Sequence, residues 1–294
     1  MPWLINAAQL DKFRKNQKSV IILDASFHLP DTKRDAKQEF LDKHIIDAHF
    51  LDLNQFHDIQ TDLPNMLIHD EAEISEKLSG LGIRDDYKII LYDNSELHSA
   101  CRALWMLRVF GHNPNQLYIL DGGLKAWEKY NGKIASGDEP SSRKQYTAQF
   151  QPHLLRTLLK MKQNLKEPMA EVIDLRHPVR FAGGPEPRRG IRSGHIPGSF
   201  SFPYSVFFDK EGYFSPLEKI RKQLLDVSID VTSPIITLCG SGMTAPILNF
   251  ILDLMNHPNH ALYDGSWSEW GAEKLYPGEI SITERPVATC LEKE

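Results

Sequence analysis

Short apolar runs alternate with amphipathic stretches along this chain, and the series comes twice. Val20-Ile21-Ile22-Leu23-Asp24 and Glu171-Val172-Ile173-Asp174 read as buried strands that end in aspartate. Ile89-Ile90-Leu91-Tyr92-Asp93 and Ile235-Ile236-Thr237-Leu238-Cys239 form a second pair, each leading into a helical stretch, Ala103 to Phe110 and Pro246 to Met255. His44-Ile45-Ile46-Asp47 matches His195-Ile196-Pro197-Gly198, and Leu120-Asp121-Gly122-Gly123 matches Tyr263-Asp264-Gly265-Ser266. A tryptophan, Trp127 or Trp270, stands six residues past each of the last two aspartates. The steps from 24 to 174, 44 to 195, 89 to 235 and 121 to 264 are 150, 151, 146 and 143 residues. Four landmarks in one order at a near-constant offset mark an internal duplication. Short strands alternating with amphipathic helices predict an α/β fold of two tandem units, each a mostly parallel sheet flanked by helices.

The pattern places the first unit at residues 1–138 and the second at 154–280. Residues 139–153 (EPSSRKQYTAQFQPH) are polar and contain Pro and Ser, as a linker would, and 281–294 read as a tail without periodicity. A length of 294 residues suits two such domains. Net charge is −5 and no basic run occurs, which argues against a nucleic-acid partner. No apolar stretch is long enough for a membrane span and no leader-like pattern opens the chain, so a cytoplasmic location is expected. Cys101, Cys239 and Cys290 are too far apart for a disulfide framework or a zinc site, which fits a reducing compartment and no metal.

Cys239 is the candidate for chemistry. It ends an apolar strand and opens Gly240-Ser241-Gly242-Met243-Thr244-Ala245, with Pro246 suited to the first turn of the next helix. Small residues there leave backbone N–H groups free to stabilise a thiolate. Its twin position holds Asp93, so only the second copy can use a thiol. A buried, inert cysteine is the common alternative for any free thiol. Gly240 to Ala245 also fit a GxGxxA dinucleotide loop with Asp264 downstream, but the motif opens a late strand and Asp264 has a twin, Asp121, that follows no such loop. A phosphatase loop would need an arginine six residues after the cysteine, where this chain has Ala245.

Cys239-Gly240-Ser241-Gly242-Met243-Thr244-Ala245 resembles the CGSGVTA loop of the two-domain rhodanese-type sulfurtransferases, most closely the 3-mercaptopyruvate sulfurtransferases, with Met243 in place of valine. Arg180-Phe181-Ala182-Gly183-Gly184-Pro185-Glu186-Pro187-Arg188 and Gly194-His195-Ile196-Pro197-Gly198 are similar to that family's RFxGxxPEPR and GHIPG segments, with the two arginines one residue closer together. The resemblance covers nearly the whole chain. It implies that Cys239 takes sulfur from 3-mercaptopyruvate as a persulfide, releases pyruvate, and passes the sulfur to a thiol acceptor such as thioredoxin, or to cyanide. It implies no cofactor. Arg180 and Arg188 would grip the donor, Ser241 would assist catalysis, and the N–H groups from Gly240 through Ser241, Gly242 and Met243 to Thr244 would cradle the sulfur. Thiosulfate-using relatives usually carry CRKGVTA, whereas Gly240 and Ser241 leave this loop neutral. Asp62, Asn65 and Arg102 would contribute from the first copy, with Asn65 standing where a proton-relaying histidine is common. Thiosulfate:cyanide sulfur transfer is the nearest alternative; a sulfur carrier without catalysis and a nucleotide-binding oxidoreductase are more distant ones.

Overall fold

The computed structural model describes residues 3–16 and 19–290. The chain divides into two compact units: residues 1–58, 67–151 and 208–214 form the first, and 59–66, 152–207 and 215–294 the second.

The first unit contains strands β1 (Leu4–Ile5), β2 (Val20–Asp24), β3 (His44–Ile45), β4 (Ala48–Phe50), β5 (Lys88–Tyr92), β6 (Leu117–Leu120) and β7 (Ile134–Ala135). Its helices are α1 (Ala7–Asn16), α2 (Ala36–Asp42), α3 (Glu71–Gly80), α4 (Ala100–Val109) and α5 (Gly123–Lys129). Its main sheet is five-stranded and parallel throughout, in the order β1-β6-β5-β2-β4, while β3 and β7 pair antiparallel. The second unit contains β8 (Leu155–Arg156), β9 (Glu171–Asp174), β10 (Phe200–Ser201), β11 (Ile235–Leu238) and β12 (His260–Tyr263). Its helices are α6 (Leu158–Lys166), α7 (Pro178–Ala182), α8 (Leu217–Asp226), α9 (Pro246–Leu254) and α10 (Ser266–Trp270). Its sheet is also five-stranded and parallel, in the order β8-β12-β11-β9-β10. Element by element this is the order of the first unit.

The duplication extends to single side chains. His44 and His195 are both buried, bonded through Nδ1 to the carbonyls of Phe40 (2.7 Å) and Phe181 (2.8 Å), and stacked on those same phenyl rings. Trp127 and Trp270 are fully buried, and each donates its indole N–H to a carbonyl 2.9 Å away, of Lys133 and Pro286 respectively. Satisfying the one indole donor removes the main cost of burying so large a ring.

Residues 59–66, with Asp62 and Asn65, group with the second unit and 208–214 with the first, the reverse of the sequence reading, and two further segments differ from it. Residues 139–151, expected within a linker, pack on the first unit. Tyr146 and Ala148 are buried, and the backbone N–H groups of Lys144, Gln149 and Gln151 donate to Ser79, Phe110 and Val109. Apolar side chains at alternate positions let an otherwise polar strip lie along α3 and α4. The expected tail is likewise fixed as far as residue 290. Ala288 bridges His195, the Cys290 N–H donates to Ala182, and Arg285 is fully buried, donating to the carbonyls of Glu269, Trp270, Ala272 and Lys274. The rest of the expected tail, 291–294, lies outside the described residues.

Candidate active site

Cys239 follows β11, whose neighbours β9 and β12 pair with it on either side. In parallel α/β sheets this carboxyl end is where ligands bind. A buried polar chain fixes the helix beyond the loop. Thr237 on β11 donates to Asn249 Oδ1 on α9 (2.6 Å), Asn249 Nδ2 meets His260 Nδ1 on β12 (3.0 Å), and His260 Nε2 meets Asp253 on α9 (2.8 Å). Each polar atom satisfies the next, so the chain can sit in the interior and hold α9 against both strands. Pro246 opens α9, where a missing N–H costs nothing.

The loop is pinned from α10. The Cys239 N–H donates to Ser266 Oγ (3.2 Å), and the carbonyls of Cys239 and Gly240 accept the N–H groups of Trp267 (3.1 Å) and Ser268 (2.9 Å). In the first unit the Asp93 carbonyl accepts Leu124 N–H (3.0 Å), the counterpart of the Trp267 bond. Gly242 has φ +76°, a left-handed turn that suits glycine. Cys239 is 2% exposed, and Met243 and Thr244 behind it are buried. Burial taken by itself matches an inert core thiol, and the groups around Gly240 are what distinguish this position from one.

A Cβ placed on Gly240 would lie 3.6 and 3.7 Å from Arg180 Nη2 and Nη1, and 3.8 Å from Arg188 Nη2. Two guanidiniums therefore converge on the residue next to the thiol. Arg180 comes from α7, where His177 caps the helix and Pro178 begins it. Arg188 also donates through Nη1 to the Gly240 carbonyl (3.0 Å) and to Ser268 Oγ. Its Nη2 is buried without a protein partner.

The residue that organises this pair is Glu186, to which the sequence reading gave no role. Its side chain is 3% exposed; it accepts Arg180 Nη2 at 2.8 Å and Arg188 Nε at 2.9 Å. Burial pushes its carboxyl up, but hydrogen bonds and charge from Arg188 and Arg180 outweigh burial and leave it below the ordinary glutamate value. Arg176, paired with Asp174 at 2.6 Å, lies beneath with its Nη1 3.8 Å from Glu186. A carboxylate two residues before Arg188 in a Pro-flanked turn was the available signal. Its burial between two cations was not visible from spacing. Ser268 was missed for a similar reason, since it reads as one polar residue in a short helix.

Asn65, within the 59–66 segment of the second unit, donates through Nδ2 to Ser241 Oγ (2.9 Å) and to the Ser241 carbonyl (3.3 Å). A carbonyl can only accept, which fixes the amide orientation. Asp62 is ion-paired with Lys274, and charge and hydrogen bonding from that lysine hold its carboxyl below the usual aspartate value. That pair borders a cavity of about 360 Å³, walled also by Arg188, Arg189, Ser268 and Tyr276. Arg102 lies on α4 of the first unit, buried, with its guanidinium 4.6 Å from the Trp105 ring centre. Cys101 is buried on the same helix, and Cys290 is exposed. Asp264 is fully buried, so it cannot take the ribose that a dinucleotide loop would bring to it.

A model of the rhodanese-like domain matches residues 6–130 and again 157–273. The chain belongs to the rhodanese family. Each of its two units is a rhodanese-like domain. Among relatives, the chain is 39% identical over 280 residues to "Thiosulfate/3-mercaptopyruvate sulfurtransferase 1, mitochondrial" of Arabidopsis thaliana, covering 88% of this chain and 73% of that one. It is 38% identical over 252 residues to the human 3-mercaptopyruvate sulfurtransferase, covering 85% and 84%. The crystal structure of SseA from Escherichia coli, described as a 3-mercaptopyruvate sulfotransferase, superposes with a TM-score of 0.82 at 30% identity, covering 91% of this chain and 99% of SseA. Among the described residues no helix is long and apolar enough to cross a membrane.

Proposed function

We propose that this rhodanese-family chain is a 3-mercaptopyruvate sulfurtransferase with Cys239 as its nucleophile. The observation that carries the reading is the convergence of Arg180 and Arg188 on Gly240, beside a thiol in a loop with no charge of its own. A 2-oxo-carboxylate offers oxygens that guanidinium N–H groups bind in two-point fashion, and Arg188 Nη2 has a donor to give. Cys239 thiolate attacks the donor sulfur. The carbon–sulfur bond breaks with its electron pair on carbon, the resulting enolate takes a proton to become pyruvate, and Cys239 is left as a persulfide. A second thiolate then attacks the outer sulfur and regenerates Cys239. A dithiol such as thioredoxin would go on to close its disulfide and release sulfide, and cyanide would leave as thiocyanate. Loop N–H groups and the start of α9 stabilise the sulfur anion in both halves. Asn65 occupies an Oγ lone pair of Ser241, which leaves the hydroxyl proton free to be donated toward the departing pyruvate. A thiol nucleophile and a thiol acceptor both work in a reducing compartment, and the cytoplasm is the one we propose.

The test is a single-turnover mixture of protein and 3-mercaptopyruvate. Pyruvate should appear in a burst equal to the protein, with a mass gain of one sulfur that Cys239→Ser abolishes. Absence of adduct on the wild type, or its persistence on Cys239→Ser, rules the mechanism out. Arg180→Ala should raise KM and lower kcat. The neutral loop also predicts that thiosulfate is the poorer donor, which the ratio of kcat/KM values measures.

A further inference from the structure

Two arginines that share one buried carboxylate do not act as two free charges. Glu186 receives Arg180 through Nε (3.2 Å) and Nη2 (2.8 Å), and Arg188 through Nε (2.9 Å). These bonds take the Nε–Nη2 edge of Arg180 and the Nε of Arg188, whose Nη1 goes to the Gly240 carbonyl and Ser268 Oγ. Arg188 Nη2 is buried without a protein partner, and it lies with Arg180 Nη1 beside Gly240. Arg176 and Asp174 cancel each other in a pair that is at most 1% exposed on either side. The loop from Gly240 to Ala245 contributes no charge. The grip therefore holds two positive charges and one negative one, a net single positive charge.

We propose that Glu186 selects the donor by charge: it positions Arg180 and Arg188 and reduces their field so that the site favours a monoanionic 2-oxo-carboxylate thiol over a dianionic sulfur donor. The inference rests on Arg180 and Arg188 being the donor's grip. The cost of taking an ion out of water rises with the square of its charge, while its attraction to the grip rises only in proportion. A single net positive charge repays the desolvation of a carboxylate more fully than that of a dianion. Removing the Glu186 charge would double the net field, and the added attraction is twice as large for the dianion. The hydrogen bonds of Glu186 go to Arg180 and Arg188. It acts through the two arginines and is a positioning residue.

The experiment compares wild type, Glu186→Gln and Glu186→Asp. It measures pyruvate formed from 3-mercaptopyruvate and sulfite formed from thiosulfate, with excess cyanide as acceptor, at low and high salt. Glu186→Gln should raise the thiosulfate to 3-mercaptopyruvate ratio of kcat/KM about tenfold at low salt, less at high salt. Glu186→Asp keeps the charge and should keep the ratio while lowering both rates. Equal losses on both donors in Glu186→Gln would mean that the residue only braces the fold, and would overturn the proposal. Should Glu186→Gln fail to fold, Arg180→Gln reads the same balance from the other side and should depress thiosulfate more than 3-mercaptopyruvate; the opposite order refutes charge selection. Calorimetric titration with pyruvate and with sulfate separates this inference from the proposed function. A wild type that makes no pyruvate contradicts the function, whereas a sulfate to pyruvate affinity ratio that does not rise in Glu186→Gln contradicts the role of Glu186.

Discussion

Asn65 has φ +61°, a left-handed backbone that asparagine tolerates better than most residues, and from there its amide reaches Ser241. A donor at this position and an acceptor at this position have opposite consequences for the hydroxyl. Asn65→Asp keeps the shape but replaces the N–H with carboxylate oxygen, which would draw the Ser241 proton to itself and repel the Ser241 carbonyl. The expected outcome is a fall in kcat of about tenfold, equivalent to roughly 1.4 kcal/mol, with a smaller change in KM. Steady-state pyruvate release measures it, and an unchanged kcat would remove Ser241 from the proton path. At this scale the sequence was legible where chemistry alone identifies a residue. Cys239 stood out by its small neighbours, and Arg180 and Arg188 by their motif. Asn65 was expected to contribute from the first copy, yet its segment belongs to the second unit. The role of Glu186 was not legible from its place before Arg188, because a carboxylate gains its meaning only from the cations that fold around it.

The element that makes the site is the turn between β11 and α9. Its geometry depends on Gly242 at φ +76° and on the Ser266–Ser268 stretch of α10 that holds the carbonyls of Cys239 and Gly240. Gly242→Ala forces a side chain into that left-handed turn and should cost about 1 kcal/mol or more of stability, read from urea unfolding midpoints. Loss of pyruvate release should exceed the loss of folded protein at 25 °C, because the N–H groups of the cradle would be re-aimed. Activity that tracks the folded fraction alone would show that the cradle does not depend on this turn. Strand ends and the Pro246 start of α9 were readable from the sequence to within a residue or so, since apolar runs and proline report local preference. The seat of residues 139–151 on α3 and α4 was not, because Tyr146 and Ala148 become core only when a groove exists to receive them.

For the whole molecule, duplication gave two sheets of one strand order and two different strand ends. In the first unit the Asp93 carboxyl is enclosed although the residue as a whole is half-buried. Burial raises its pKa from 3.8 to about 7 against the N–H groups of Ala100 and Ser95, with Asp24 adding to the rise. A carboxyl that binds its proton more tightly when folded favours the folded state while protonated. That contribution is fully present below about 4 and is lost as pH rises through about 7. The melting temperature of wild type relative to Asp93→Asn should therefore decline between pH 4 and pH 7 and level off above. A difference independent of pH would mean that the carboxyl is solvated. The sequence by itself determined the α/β class, the two copies, the thiol at one strand end and its carboxyl twin, because periodicity and residue chemistry are local properties. Only the tertiary structure decided that Glu186 sits between Arg180 and Arg188, that Asn65 holds Ser241, and that Arg285 anchors the C-terminal segment. Each of these depends on groups distant in sequence being buried together, where a charge or a hydrogen bond has no water to replace it.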